Sequence, residues 1–357
     1  MPARTRASAV LIALCAALSA CGSNAAIAPS TAASVAASAA GAATSAVSTP
    51  TAGAVSSSPR SSAAPSVSSI SSSVAASISS SVAASSSPKS SAPSAAVPAS
   101  APRRIVSLSP SATEDLYVIG AGSQVVAVDS DSNYPADAPK TALSAYKPNV
   151  EAIAKFRPDL VVISNDTDKL KAQLTALKIP VLMEPAAQSL DDAYQQIRNL
   201  GEKTGHADKA ATVVSAMRSK IAALVATVPT RRKPLTYFHE LDNTLYTVTS
   251  KTFIGQIYKL AGFEDVADTA GAGGGDYPQL SAEFLVKSNP DLVFLADTKC
   301  CGQNASTFAA RPGFGAMTAV KDKHIVRLDD DIASRWGPRV ADLLEQAITA
   351  GKAIPAS

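Results

Sequence analysis

The 357-residue sequence predicts an α/β protein, with two related lobes built on mostly parallel sheets and joined by one long helix. Three observations carry this expectation. The region after residue 102 repeats one order of motifs twice at matched spacing. In each repeat a continuous apolar run follows a proline, as strands buried on both faces do. Between the repeats lies a segment whose apolar residues recur at helical spacing.

The chain opens as an export signal. Arg4 and Arg6 form a short positive region, followed by an apolar stretch from Ala7 to Leu18. Such a stretch fits a secretory core of about 7–15 residues and falls short of the ~20 needed to span a membrane. Leu18-Ser19-Ala20-Cys21 resembles the lipobox of bacterial lipoproteins, in which the cysteine is acylated and becomes the new N-terminus. Residues 1–20 are then a lipoprotein signal peptide and Cys21 is the lipidation site. The alternatives are an ordinary signal peptide that ends near a cysteine, and an uncleaved anchor. From residue 21 to 102 the chain is nearly all Ser, Ala, Pro, Thr, Gly and Val, with Arg60 and Lys89 its only charges. Too few large apolar side chains are present to offset the entropy of ordering, so a disordered tether is expected. As a flexible coil its mean reach is on the order of 50 Å.

The first lobe is assigned to residues 103–186. Ile105 to Leu108 reads as a strand, Ser109-Pro110-Ser111-Ala112-Thr113-Glu114 starts a helix, and Val125 to Val128 is a second strand. Tyr134-Pro135, Asn149-Val150-Glu151 and the strand signal Pro158-Asp159-Leu160-Val161-Val162-Ile163 follow. The second lobe, residues 229–357, has Leu235 to Phe238 as a strand and Phe253 to Ala261 as a helix. Tyr277-Pro278, Glu283 and Pro290-Asp291-Leu292-Val293-Phe294 come next. Glu151 and Glu283 each stand seven residues before the proline of their strand. Each lobe is therefore expected to be Rossmann-like, with ligand contacts near the carboxyl ends of its strands. Gly271 to Gly275 reads as a flexible loop.

Residues 187–228 read as a helical connector. Ser189 with Asp191 and Asp192 marks a helix start, and a break falls near Thr204-Gly205. Beyond it Ala210, Val213, Val214, Met217, Ile221, Leu224, Val225 and Val228 form one apolar stripe. A helix of about 20 residues spans roughly 30 Å, long enough to join two lobes and restrict their hinge.

Composition excludes several function classes. Residues 103–357 hold 28 of the 32 Lys and Arg and all 29 Asp and Glu, which gives no basic patch for a nucleic acid. Cys15 leaves with the signal, so Cys300 and Cys301 are the only candidates for pairing within the mature chain. The readings open are a vicinal disulfide in an oxidising compartment, two buried thiols, or a reactive or metal-binding pair. His206, His239 and His324 are too scattered for a zinc or manganese site. An extracellular enzyme would rest on His239-Glu240 or the two thiols, with no Gly-x-Ser-x-Gly elbow, phosphate loop or Cys-x-x-Cys to support it.

Together these motifs resemble the substrate-binding proteins of ABC importers for vitamin B12 and iron–siderophore complexes. Ser109 to Glu114, Asn133-Tyr134-Pro135, Asn149-Val150-Glu151, both Pro-Asp-Leu-Val units and Gly337-Pro338-Arg339 carry the resemblance across residues 103–357. It implies two lobes joined by a single long helix, and a ligand held in the cleft between them. It also implies that Glu151 and Glu283 dock onto arginines of a permease dimer; the alternative is two solvated helix-start glutamates. The ligand positions it implies are Asp131, Tyr134, Tyr146, Lys147, Tyr277, Arg335 and Trp336, with Arg335 facing an anionic group. Tyr134 and Tyr277 are alternatively packing residues before their prolines. Asp131, Ile332, the run Asp329-Asp330-Asp331 and the cysteine pair depart from the pattern and leave the ligand open. The expected function is capture of a metal chelate by a lipid-anchored monomer on the outer face of a bacterial membrane. A corrinoid is slightly favoured over a ferric siderophore; a free metal-ion or haem carrier is the alternative. No resident cofactor or metal is expected, since the chelate is cargo.

Overall fold

A computed structural model of the chain describes residues 100–270 and 275–356. The signal, Cys21, nearly all of the tether and loop residues 271–274 lie outside the described residues. The first lobe contains β1 (Ile105–Leu108), α1 (Pro110–Val118), β2 (Val125–Val128), α2 (Val150–Ala154), β3 (Leu160–Ile163), α3 (Leu170–Ala176) and β4 (Val181–Met183). Helices α4 (Leu190–Thr204) and α5 (Ala207–Val225) connect it to the second lobe. That lobe contains β5 (Leu235–Glu240), α6 (Phe253–Leu260), β6 (Phe263–Asp265), α7 (Ala282–Ser288), β7 (Leu292–Leu295) and α8 (Ala305–Ala309). It ends with α9 (Thr318–Lys321), β8 (Ile325–Arg327), α10 (Asp330–Ala333) and α11 (Val340–Lys352).

The two sheets have one topology. Their orders are β2-β1-β3-β4 and β6-β5-β7-β8, and every strand pairing within them is parallel. The duplication extends to helix caps. Ser109 and Thr252 cap α1 and α6, and Asn149 and Ser281 cap α2 and α7, each accepting a backbone N–H from three residues on. Both Pro-Asp-Leu-Val aspartates tie their strand to its neighbour. Asp159 accepts the backbone N–H groups of Arg103 and Arg104, each at 2.8 Å, at the start of β1. Asp291 accepts Thr236 N–H at 2.8 Å and its hydroxyl at 2.9 Å in β5.

Both faces of each sheet are buried, which explains the unbroken apolar runs. Leu160 and Val162 of β3, with Leu292 and Phe294 of β7, face one core shared by both lobes. The alternate residues Val161 and Ile163 enter a core private to the first lobe, and Val293 and Leu295 one private to the second. Ile197, Val214 and Ile221 of the connector and Leu343, Leu344 and Ile348 of α11 complete the shared core.

The connector is a helical hairpin. Ser189 caps α4, and Gly205 ends it in the left-handed region at φ 80°. The 19 residues of α5 make it the long helix the sequence predicts, about 28 Å at 1.5 Å per residue. Its N-cap His206 lies beside Gly120 of the first lobe, and Val228, just past its end, lies beside Gly262 of the second. Its partner α4 doubles the strut, and the two approach closely at Gly201. A Cβ there would run into the Ala210 methyl and lie 3.2 Å from the His206 carbonyl oxygen. Alanine gains about 1 kcal/mol in helix propensity over glycine, but overpacking a tight contact costs about 1–3 kcal/mol. Gly201→Ala is therefore expected to lower the urea midpoint, and Gly201→Val to lower it further.

Candidate functional site

Helix α1 is buried almost all round, and it holds a charge. Ser111, Ala112, Thr113, Glu114, Asp115 and Leu116 are all inaccessible, and Glu114 is 3% exposed. Its carboxylate is met by two guanidiniums from the opposite lobe. Arg335 Nη1 donates to it at 2.9 Å, and Arg339 donates through Nε at 2.9 Å and Nη2 at 2.5 Å. Trp336 N–H reaches Ser111 Oγ at 3.3 Å, and Gly337 sits against the Ser111 carbonyl and the Glu114 side chain. The motif from Ser109 to Glu114 and the motif Gly337-Pro338-Arg339 are thus two halves of one contact.

The loop after β2 joins the same contact. Arg335 Nη2 donates to the Asp131 carbonyl at 2.8 Å, Asn133 Oδ1 at 2.9 Å and Asp331 Oδ1 at 2.8 Å. Asn133 Nδ2 donates back across the lobes to Asp331 at 3.0 Å. The Arg339 guanidinium lies 4.1 Å from the centre of the Tyr134 ring, a cation–π contact. Tyr134 leads into the cis peptide bond Tyr134-Pro135. Burial opposes ionisation of Asp331, yet Lys299 and Arg335 hold its carboxyl below the usual range.

Of the expected ligand residues, the structure brings Asp131, Tyr134 and Arg335 together. Arg335 is 8% exposed, and both of its terminal nitrogens are taken by the two lobes. Its guanidinium clasps the two lobes together. Trp336 is half-buried, and its indole N–H donates to Gln196 of α4 at 2.8 Å, so it braces the connector. Asp131 contributes its backbone carbonyl to the clasp. Tyr146, Lys147 and Tyr277 are exposed, Tyr146 to 74% and Tyr277 to 51%. Among the described residues no hydrogen bond or ion pair ties their side chains to the clasp.

A further exposed aromatic, Tyr246, was not singled out by the sequence motifs. It is 42% exposed in the β5–α6 connection and bridges to Gln279, beside Tyr277-Pro278. Its signal in the sequence was its place just after a strand. The large exposed apolar residues include four tyrosines, Tyr134, Tyr146, Tyr246 and Tyr277, and all four lie on strand-to-helix connections. Those connections leave the carboxyl edges of the two sheets.

In the second lobe the loop after β7 carries the cysteines. They are joined as a vicinal disulfide, and both residues are exposed, which excludes the reading as two buried thiols. His239 and Glu240 are adjacent in β5 and point to opposite faces of the sheet. His239 is fully buried against the Tyr258 hydroxyl at 2.8 Å, and burial pulls it down to about 3. Glu240 is fully buried and gripped through both oxygens by Arg311, at 2.5 and 2.6 Å. They cannot act on one substrate. Among the described residues no three His, Cys, Asp or Glu side chains converge on a metal position.

Glu151 and Glu283 occupy one station in the duplication. Each is the second residue of its helix, α2 or α7, and each is exposed. Backbone and Ser281 hydrogen bonds hold the Glu283 carboxyl below its ordinary value.

Comparison with known proteins agrees with this architecture. A family model described as periplasmic binding protein matches residues 105–332. An uncharacterized ABC transporter substrate-binding lipoprotein of Bacillus subtilis is 31% identical over 256 residues, covering 69% of this chain and 78% of its own. A vitamin B12-binding protein of Vibrio vulnificus is 29% identical over 254 residues, covering 68% and 88%. A crystal structure of a possible iron-binding, periplasmic solute-binding protein from Staphylococcus epidermidis superposes with a TM-score of 0.60. It is 27% identical and covers 70% of this chain and 98% of its own.

Two predictions follow from this geometry. Removing the charge of Glu114 leaves Arg335 and Arg339 buried without their main partner, so Glu114→Gln is expected to cost about 3 kcal/mol in urea unfolding. Asp297, at the end of β7, is fully buried, and burial together with neighbouring Glu240 pushes it up to about 7. The folded state then holds a proton that the unfolded chain releases near pH 4. Its contribution is full below that pH, falls as pH rises to about 7, and is flat above. Asp297→Asn should match the wild type near pH 4 and exceed it at pH 8 by up to about 4 kcal/mol.

Proposed function

The chain belongs to the periplasmic binding protein family and is the substrate-binding component of an ABC importer; from that premise we propose that it captures a metal chelate between its lobes and delivers it to a permease. The observation that carries this reading is the set of four exposed tyrosines on the carboxyl-edge connections of both sheets. Aromatic rings with a polar tip suit a large, flat, partly apolar ligand that keeps contact with water. Buried pockets for small ions would need converging charged ligands instead.

The favoured ligand is a corrinoid. Asn133-Tyr134-Pro135 and Asn149-Val150-Glu151 resemble B12 binders, and the Vibrio vulnificus relative bears that name. A ferric siderophore is the second reading, favoured by likeness to the possible iron-binding protein from Staphylococcus epidermidis. The metal travels as cargo, with no resident cofactor. The ligand surface comprises Tyr134, Tyr146, Tyr246 and Tyr277, with Lys147 beside Tyr146 and Asp131 holding the loop. The export signal and Cys21 make the protein a lipid-anchored monomer on the outer face of the membrane, with residues 22–102 as its tether. Glu151 and Glu283 present two equivalent carboxylates to a two-fold permease, which steers and orients the partner by charge.

Trp336 fluorescence tests the ligand class. The full chain is titrated with cyanocobalamin, a ferric tris-catecholate and haemin, with calorimetry alongside. Saturable binding of one chelate, weakened about tenfold by Tyr134→Ala or Tyr277→Ala, is expected; no binding of any would sink the ligand class. Exchanging both docking carboxylates in Glu151→Lys/Glu283→Lys should leave that affinity unchanged and abolish ligand uptake by cells carrying the permease. Undiminished uptake would reduce the pair to solvated helix-start residues.

A further inference from the structure

The vicinal disulfide has no evident part in holding the fold. A disulfide stabilises mainly by closing a loop in the unfolded chain, and the effect grows with loop length. Cys300 and Cys301 are neighbours, so their bond encloses no intervening residue. Both are exposed, although cysteine is among the residue types most often buried. Their loop is nonetheless held by several hydrogen bonds and ion pairs. The Asp330 carboxylate accepts three consecutive backbone N–H groups, from Thr298 at 2.8 Å, Lys299 at 2.9 Å and Cys300 at 2.8 Å. It also accepts the Thr298 hydroxyl at 3.0 Å. Lys299 Nζ bridges Asp329 at 2.7 Å and Asp331 at 2.8 Å. Asp331 is the residue that crosses to Asn133, next to Tyr134, and to Arg335. The sulfurs are thus braced by a short chain of hydrogen bonds against the loop that carries the first exposed tyrosine.

Their place in the fold is where a ligand contact belongs. The loop leaves the carboxyl end of β7, one of the two inner strands of its sheet, and ligands of such sheets bind outside the carboxyl ends. We propose that the Cys300–Cys301 disulfide is a specificity-determining contact of the second lobe, laying two polarisable, donor-free sulfurs against an apolar face of the captured chelate. This rests on the ligand reading above and adds to it a named contact on the second lobe. It also makes capture sensitive to thiols. A dithiol reductant supplies two electrons and two protons; the S–S bond breaks, two S–H groups form, and the reductant becomes its own disulfide. The rigid apolar ring is then replaced by two separate thiols.

Protection of the disulfide decides the matter. The full chain is treated with dithiothreitol alone and with saturating cyanocobalamin, gallium protoporphyrin IX or a gallium tris-catecholate, the gallium ion resisting reduction. Released thiols are trapped with N-ethylmaleimide and counted by mass spectrometry. The chelate that binds is expected to slow reduction at least fivefold. Cys300→Ser/Cys301→Ser is expected to bind it at least fivefold more weakly at an unchanged melting temperature. A bound chelate with an unprotected disulfide overturns this proposal and leaves the ligand reading standing. Failure of all three to bind overturns both.

Discussion

A carboxylate shut away from water must be neutralised where it sits, and Glu114 is neutralised entirely from the other lobe. A buried ion pair of this kind adds little net stability over an apolar contact of the same shape. What it adds is specificity of docking. Two apolar faces can slide by a residue and still bury their area, whereas one carboxylate meeting two guanidiniums and a tyrosine ring has a single register. Two of the loops bordering the candidate site are positioned by that register. Asp131 and Asn133 hang on Arg335, Tyr134 lies under Arg339, and the β7 loop reaches the same point through Asp331 and Lys299.

The shared core explains why the lobes need such a register. Both sheets turn one face into a single cluster with the connector and α11, so the lobes are fused over an apolar contact as well as joined by a strut. Large hinge opening would expose that cluster at about 25 cal/mol for each Å² of apolar surface. The ligand is therefore met by an almost preformed pair of edges, and selectivity falls to the side chains on the strand-to-helix connections. Of the expected departures of this chain from the family pattern, Asp131 and the cysteine pair lie there, Asp329 to Ile332 lie at and within α10, and none falls in a framework strand.

Much of the framework was legible because it is dictated locally and written twice. A strand buried on both faces has an apolar run with no alternative use, as at Leu160 to Ile163, and proline stops the helix before it. The edge strands β4, β6 and β8 are three residues each, and their pattern is too short to stand out. The cap residues Ser109 and Ser189 were readable from their positions alone. The clasp made by Arg335 was not legible because its first-lobe partners lie more than 200 residues away. An arginine beside a lone tryptophan looks the same in sequence whether it faces a ligand or a buried glutamate. Tyr246 escaped notice for a related reason: a solitary tyrosine after a strand becomes informative only when its neighbours across the edge are known. The adjacency of His239 and Glu240 carries no site, since neighbours in a strand belong to different faces.

The two guanidiniums that complete α1 arrive very late. Arg335 and Arg339 follow the first lobe by more than 140 residues in the sequence, and α11 behind them closes the shared core. While the chain is still emerging, the first lobe presents its glutamate to an incomplete interior and half of its inner sheet face to water. The interior of the first lobe is thus completed only when Arg335, Arg339 and α11 have been added. A chain nicked or stalled short of residue 335 leaves an unfinished first lobe with an unpaired charge, an open target for extracytoplasmic quality control.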